Sequence, residues 1–166
     1  MFLPTLNRTI GIPRVAGCFC LVGREILVMR RQRNSTYPLH WAIPSGKLEV
    51  GETALQCMVR ELNEELGIVV RPDRFDRVGA FIVEEASIRF EYITFALKMS
   101  EKPSLTPNPR EVDRVEWIVI PKIRKKKVVP YFYNTVNELL DWSSNVSPLL
   151  AALPQKEAKG VARREA

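Results

Sequence analysis

The first apolar run is Val15-Ala16-Gly17-Cys18-Phe19-Cys20-Leu21-Val22, and a second, Glu25-Ile26-Leu27-Val28-Met29-Arg30, follows it after Gly23-Arg24. Two such runs flanking a glycine-containing pair predict a strand hairpin. Gln32 to Leu39 is polar and irregular, and Trp41-Ala42-Ile43 predicts a short strand before Pro44-Ser45-Gly46. A loop to Gly51 then leads into a helix from Thr53 to about Leu66. Thr53 and Gln56 have the spacing of a capping box, and Gly67 supplies a C-terminal stop. Strands are predicted over Val78–Val83 and Ile88–Lys98, with Ile88, Phe90, Tyr92, Thr94 and Ala96 on one face of the second. Ser100 to Asn108 carries Pro103 and Pro107 and reads as a loop; Val115–Ile120 reads as a strand. Phe132, Val136, Leu139 and Leu140 recur at helical spacing within Tyr131–Trp142, and a frayed tail is expected from Pro154 on. Strands and helices interleave, so the class is α/β or α+β with a mixed sheet.

At 166 residues the chain has the length of one domain with a proper core, expected over 10–142 with an extension over 143–166. A composition 46% hydrophobic and 27% charged excludes an intrinsically disordered protein. No apolar run approaches the roughly 18–20 residues of a membrane span. The start, Met1-Phe2-Leu3-Pro4-Thr5-Leu6-Asn7-Arg8, lacks the pattern of a secretion signal, so a cytoplasmic setting is expected. Lysine and arginine total 25 against 19 acids, a net charge of +6. Five of those cations fall in Lys122-Ile123-Arg124-Lys125-Lys126-Lys127, and outside this run the charges nearly balance. The run reads either as a phosphate-meeting patch or as a solvated loop. Three cysteines, Cys18, Cys20 and Cys57, make no disulfide framework, and a zinc site would need more than the lone His40. Small buried thiols are the expectation.

Chemistry concentrates in Gly46–Ile68. On a helical wheel Glu61, Glu64 and Glu65 share an arc of roughly 100°. Leu55, Met58, Val59, Leu62 and Leu66 fill the adjacent, core-facing side. Like charges three and four residues apart repel by a few tenths of a kcal/mol per pair. A hard divalent cation would offset that repulsion and bridge carboxylates to phosphates. Ala54 and Cys57, on the same arc, are small enough to leave room for a ligand.

Gly46, Glu52, Arg60, Glu61, Leu62, Glu64, Glu65, Gly67 and Ile68 together resemble the box of the Nudix hydrolase family, without departure at these nine positions. With average residue usage such a match arises by chance with probability on the order of 10⁻⁸. The resemblance implies an α/β/α sandwich with a mixed β-sheet. It also implies hydrolysis of a nucleoside diphosphate linked to another group, by water activated on Mg²⁺ or Mn²⁺. By position, Glu61, Glu64 and Glu65 would be metal ligands, with one of them a candidate for the base as well. Arg60 would hold Glu52 by a bidentate contact, and a carbonyl near Ser45 or Gly46 would complete the metal set. Ser45 stands where glycine is common in the family.

Because a carboxylate bound to metal is not a free base, a further acid is worth seeking. Glu111 is the candidate, with Glu84, Glu85 and Glu91 as rivals. Lys47 reads as a phosphate contact or a solvated lysine, and His40 as structural. The expected substrate is a small nucleotide, first a nucleoside triphosphate. A nucleotide-sugar or ADP-ribose hydrolase, or a non-catalytic nucleotide-sensing or nucleic-acid-binding module, is the alternative. A membrane or nucleic-acid partner is not expected.

Overall fold

The computed structural model describes residues 11–146. The segment 147–166, which includes the expected frayed tail, and the opening ten residues lie outside the described part. Seven strands and two helices follow in order: β1 (Arg14–Val22), β2 (Glu25–Arg31), β3 (Trp41–Ala42), β4 (Ser45–Lys47), α1 (Ala54–Leu66), β5 (Phe75–Glu85), β6 (Ile88–Met99), β7 (Val112–Val119) and α2 (Phe132–Val146). The strands form one mixed sheet along the path β3-β2-β1-β6-β5, with β4 also on β1 and β7 on β2. Only β1 and β6 run parallel; the other pairs are antiparallel.

The period-two pattern explains why β1 and β6 are central. On β1, Phe19 and Leu21 join the core beside α2, while Ala16, Cys18 and Cys20 join the core beside α1. On β6, Tyr92 and Ala96 face α2, and Ile93, Phe95 and Leu97 face α1. A strand buried on both faces needs a near-continuous apolar run, and both have one through their buried middles, interrupted on β6 by the buried Thr94. Phe132, Val136 and Leu139 of α2 and Met58, Leu62 and Leu66 of α1 cover the two faces, giving the expected three layers. All three cysteines are free and buried. Among the described residues no helix is long and apolar enough to cross a membrane.

One feature of the sheet makes the site. β1 and β2 pair only at the hairpin end, Leu21 with Ile26 and Val22 with Glu25. Towards the other end they diverge: β4 pairs with Val15, Ala16 and Gly17 of β1, while β3 and β7 take the two edges of β2. The wedge between the strands opens into a cavity of about 630 Å³.

Three expectations are corrected. The segment after Pro44 is not all loop, since Ser45–Lys47 forms β4. The buried face of α1 is rotated away from Leu55 and Val59, and holds Ala54, Cys57, Glu61 and Glu65 as well as the leucines. Ala54 and Cys57 therefore do not leave room for a ligand; their small size lets the helix close on β4, where the Cys57 thiol donates to the Gly46 carbonyl at 3.5 Å. The basic run is not a free loop either. Its first four residues belong to a 3₁₀ turn, Ile120–Lys125, whose period of three turns Ile120, Ile123 and then Lys126 inward. Lys126 lies 3.9 Å over the Trp41 ring and 2.5 Å from Glu116.

Candidate active site

The site is built on α1, and the boundaries of α1 are set locally. Thr53 accepts from the Gln56 amide at 3.1 Å and donates its own amide to the Gln56 side chain at 2.9 Å, the complete capping box. Gly67 ends the helix in the left-handed region, at φ 70°, with its amide on the Asn63 carbonyl at 2.9 Å. Fully burying each of Met58, Leu62 and Leu66 contributes about 1.5–3 kcal/mol. That outweighs the few tenths lost to each pair of like charges, so the helix can carry clustered glutamates on an inner edge.

Those glutamates separate into two sets. Glu61, Glu65 and Glu111 each offer a carboxylate oxygen within 4.8 Å of the others on the cavity wall, two of them buried and Glu111 exposed. Glu64 is not among them. Half exposed, it turns onto Arg60 at 3.1 Å. Arg60 is the hub of the second set: Nε and Nη2 hold the two Glu52 oxygens at 2.8 and 2.9 Å, the expected bidentate contact. Its Nη1 also donates to Glu61 at 2.7 Å, and Nη2 to the Lys47 carbonyl at 3.1 Å. These bonds lower the Glu52 pKa to about 2. Arg60 thus joins the loop, β4 and the helix through one guanidinium.

Burial raises the pKa of Glu61, the Arg60 contact opposes it, and Glu64 and Glu111 add to it. Glu65 is 4% exposed and makes no ion pair with any described residue. Burial first, then Glu61 and Glu111, push its pKa well above the usual carboxylate range, against the Ser45 amide, which donates to Oε2 at 3.3 Å, and the charge of Arg31. Two buried carboxylates beside a third, one of them without a direct ion pair among the described residues, form a donor set of hard oxygens suited to Mg²⁺ or Mn²⁺.

Backbone geometry brings Glu111 in. The loop before β7 lies along the end of α1, with the Thr106 amide on the Leu66 carbonyl and the Asn108 amide on the Glu65 carbonyl, both at 2.8 Å. The rivals stay outside: Glu91 pairs with Arg14 at 3.0 Å and Glu84 with Arg89 at 3.8 Å, while Glu85 stands beside Tyr37. Ser45 and Lys47 line the cavity through β4. Gly46 between them leaves the Glu61 carboxylate its place, because a Cβ there would lie 1.9 Å from Glu61 Oε1 and force that side chain to move. His40 is held by the Pro38 carbonyl at 2.9 Å and by the edge of Tyr37.

Sequence reasoning missed the cations and rings that share the cavity with the carboxylates. Its lining also carries Arg31, Arg89 and Arg110, with the aromatic rings of Tyr37, Phe90 and Tyr131. Phe90 and Tyr131 meet edge to face at 5.4 Å. Arg31 donates Nε to the Thr36 carbonyl at 2.8 Å and so ties the irregular 32–39 segment to the cavity. The adjacent Arg30 is bound to Asp113 at 2.5 Å on the other side of the strand.

With this geometry the chain can be compared with known proteins. A family profile described as the NUDIX domain matches residues 11–139. Phosphatase NudJ of Shigella boydii is 29% identical over 85 residues, 51% of this chain. The match spans 55% of that relative, little more than half its length. The MutT protein of Methanosarcina mazei superposes with a TM-score of 0.66 at 20% identity, covering 81% of this chain and 95% of that one. A bifunctional NMN adenylyltransferase/ADP ribose pyrophosphatase from Francisella tularensis, complexed with AMP and a Mn ion, gives 0.65 at 20%, covering 79% of this chain and 42% of that one. These structural likenesses establish the fold. The profile spans most of the chain, and the chain therefore belongs to the NUDIX family.

Proposed function

We propose that this chain is a divalent-metal-dependent hydrolase that cleaves the diphosphate linkage of a nucleotide, with a nucleoside triphosphate as the first substrate to test. The observation that carries the reading is the convergence of Glu61, Glu65 and Glu111 in a cavity that is also lined by arginines and aromatic rings. Glu61, Glu65 and Glu111 would hold Mg²⁺ or Mn²⁺, with Glu64 close by on Arg60 and Ser45 supporting Glu65. A bound cation of this kind lowers the pKa of its water and offsets the charge of the diphosphate. Arg60 and Glu52 keep the Glu61 carboxylate oriented. Arg31, Arg110 and Lys47 receive phosphate oxygens, and Tyr37, Phe90 and Tyr131 offer ring edges and faces to a base. Phosphoryl transfer asks chiefly for such positioning and charge stabilisation, so no serine or cysteine nucleophile is required. A cytoplasmic setting belongs to the same proposal and is supported by the three unpaired cysteines.

The Francisella neighbour's description as an ADP ribose pyrophosphatase favours ADP-ribose as the second substrate. A panel of nucleoside triphosphates, nucleotide sugars and ADP-ribose, assayed with Mg²⁺ and Mn²⁺ and with products resolved, tests the reading. Metal-dependent release of a mononucleotide is expected, and no turnover of any member with either metal would refute it. Gly46→Ala is expected to lower kcat by about 10–100-fold with the circular dichroism spectrum retained, because Glu61 must move from the cation set. Wild-type kcat in that variant would show that Glu61 does not need its place.

A further inference from the structure

Of the three carboxylates in the cation set, two are placed by the helix that carries them. Glu111 is different: it is exposed and lies on a turn between the proline-containing loop and β7. An exposed glutamate has many rotamers, and holding it near two other carboxylates works against charge repulsion. Something must keep it there.

The backbone of the turn is fastened from two sides. The Asn108 carbonyl accepts from the amides of Glu111 at 3.1 Å and Val112 at 2.8 Å. From just beyond β2, the Gln32 amide donates to the Glu111 carbonyl at 3.1 Å, and the Gln32 side chain to the Pro109 carbonyl at 2.8 Å. The carboxylate itself has one hydrogen-bond donor among the described residues, Asn108 Nδ2, at 3.2 Å from Oε1. Asn108 Oδ1 meanwhile accepts from the Arg110 amide at 3.1 Å, which fixes the amide plane and aims Nδ2 at Glu111. The Asn108 amide N–H is bound to the carbonyl of Glu65, another member of the set.

We propose that Asn108 is the positioning residue that couples Glu111 to the helical turn of Glu65 and so holds the third carboxylate at the cation. This rests on the proposed metal-dependent reading of the site. Every polar atom of Asn108 takes part, since the main chain ties the turn to the helix end and the side chain orients the carboxylate. An aspartate here would set an anion against Glu111, and a serine would keep the turn acceptor without reaching the carboxylate.

The test is a double-mutant cycle on the full chain, with Mn²⁺ affinity of the metal-free protein read by calorimetry in the absence of substrate. Asn108→Ser is expected to weaken Mn²⁺ binding about tenfold, within the range found for outer residues that orient ligands. Glu111→Gln is expected to weaken it at least as much, and the double variant no further than Glu111→Gln alone. The thermal midpoint of metal-free Asn108→Ser should stay within a few degrees of wild type. Additive losses would overturn the inference, because Asn108 would then act on the cation by another route. Unchanged affinity in Asn108→Ser with a loss in Glu111→Gln would overturn it while leaving the hydrolase reading intact. Unchanged affinity in Glu111→Gln would remove Glu111 from the set and the inference with it; the hydrolase reading would still stand or fall by Glu65. Asn108→Thr carries the same expectations should the serine variant not fold.

Discussion

Glu65→Gln is expected to lower turnover by roughly 10²–10⁴-fold, the scale of the several kcal/mol that a bound cation supplies to a transition state. The same change should make the metal-free protein more stable. Glu65 is buried against Glu61 and Glu111 and makes no ion pair with any described residue, so an isosteric amide removes a repulsion without leaving a cavity. The pH dependence follows from the sign of the shift. The folded protein holds the Glu65 proton more tightly than the unfolded chain, whose ordinary value is 4.5. The group therefore stabilises the fold fully below about that pH, and its contribution is lost as pH rises through the elevated folded value. In chelator, the variant and wild type should melt together near pH 4, and the variant should gain as pH rises. Each kcal/mol corresponds to about 2–4 °C in a chain of this size. Added Mn²⁺ should reverse the order, since it binds the wild-type fold more tightly. A variant that retains turnover, or that is less stable than wild type in chelator at pH 8, would sink the assignment of Glu65.

Arg60→Ala carries the largest expected loss of stability. The guanidinium is 22% exposed and its Glu52 and Glu61 partners only 12% and 11%, so its removal leaves several carboxylates facing one another with little water. Breaking a buried pair in this way costs about 3–5 kcal/mol, and the partial exposure here favours the lower end. The thermal midpoint should fall by about 6–12 °C. Arg60→Lys should recover only part of this, because an ammonium cannot hold both Glu52 oxygens and Glu61 at once. Glu52, with its pKa lowered to about 2, stabilises the fold above its unfolded value of 4.5 and loses that contribution as pH falls towards 2. The gap between wild type and Arg60→Ala should accordingly narrow on acidification from pH 5, followed by thermal melts. A gap that widens would assign the stabilisation elsewhere.

What the sequence reveals and conceals differs between neighbouring residues. The ends of α1 are visible because Thr53, Gln56 and Gly67 act within one turn of chain. The three-residue strand β4 is concealed: Ser45-Gly46-Lys47 has no alternation to detect, and its pairing with β1 is made by residues 30 positions away. The wheel groups Glu61, Glu64 and Glu65 correctly by angle, but it cannot show that the cavity wall ends between Glu61 and Glu64. Glu111 can be nominated by its place before a strand, yet only the docking of Asn108 onto the Glu65 carbonyl separates it from Glu84, Glu85 and Glu91. Arg30 and Arg31 are indistinguishable as letters. Strand alternation sends one to Asp113 and the other to the cavity, and which goes where depends on the sheet.

The parting of β1 from β2 beyond two residue pairs has an evolutionary corollary. Two different portions of the chain own the two sides of the wedge. β1, with β4 and α1 docked on it, bears Glu61 and Glu65; β2 and the 32–39 excursion bear Arg31 and Tyr37, and Glu111 joins from the turn before β7, which pairs with β2. A lengthened or rewritten excursion can therefore change which nucleotide is admitted without disturbing a single bond of Arg60. Selectivity can change in this way while Glu61 and Glu65 stay in place, provided Gln32, which fastens the turn of Glu111, is kept.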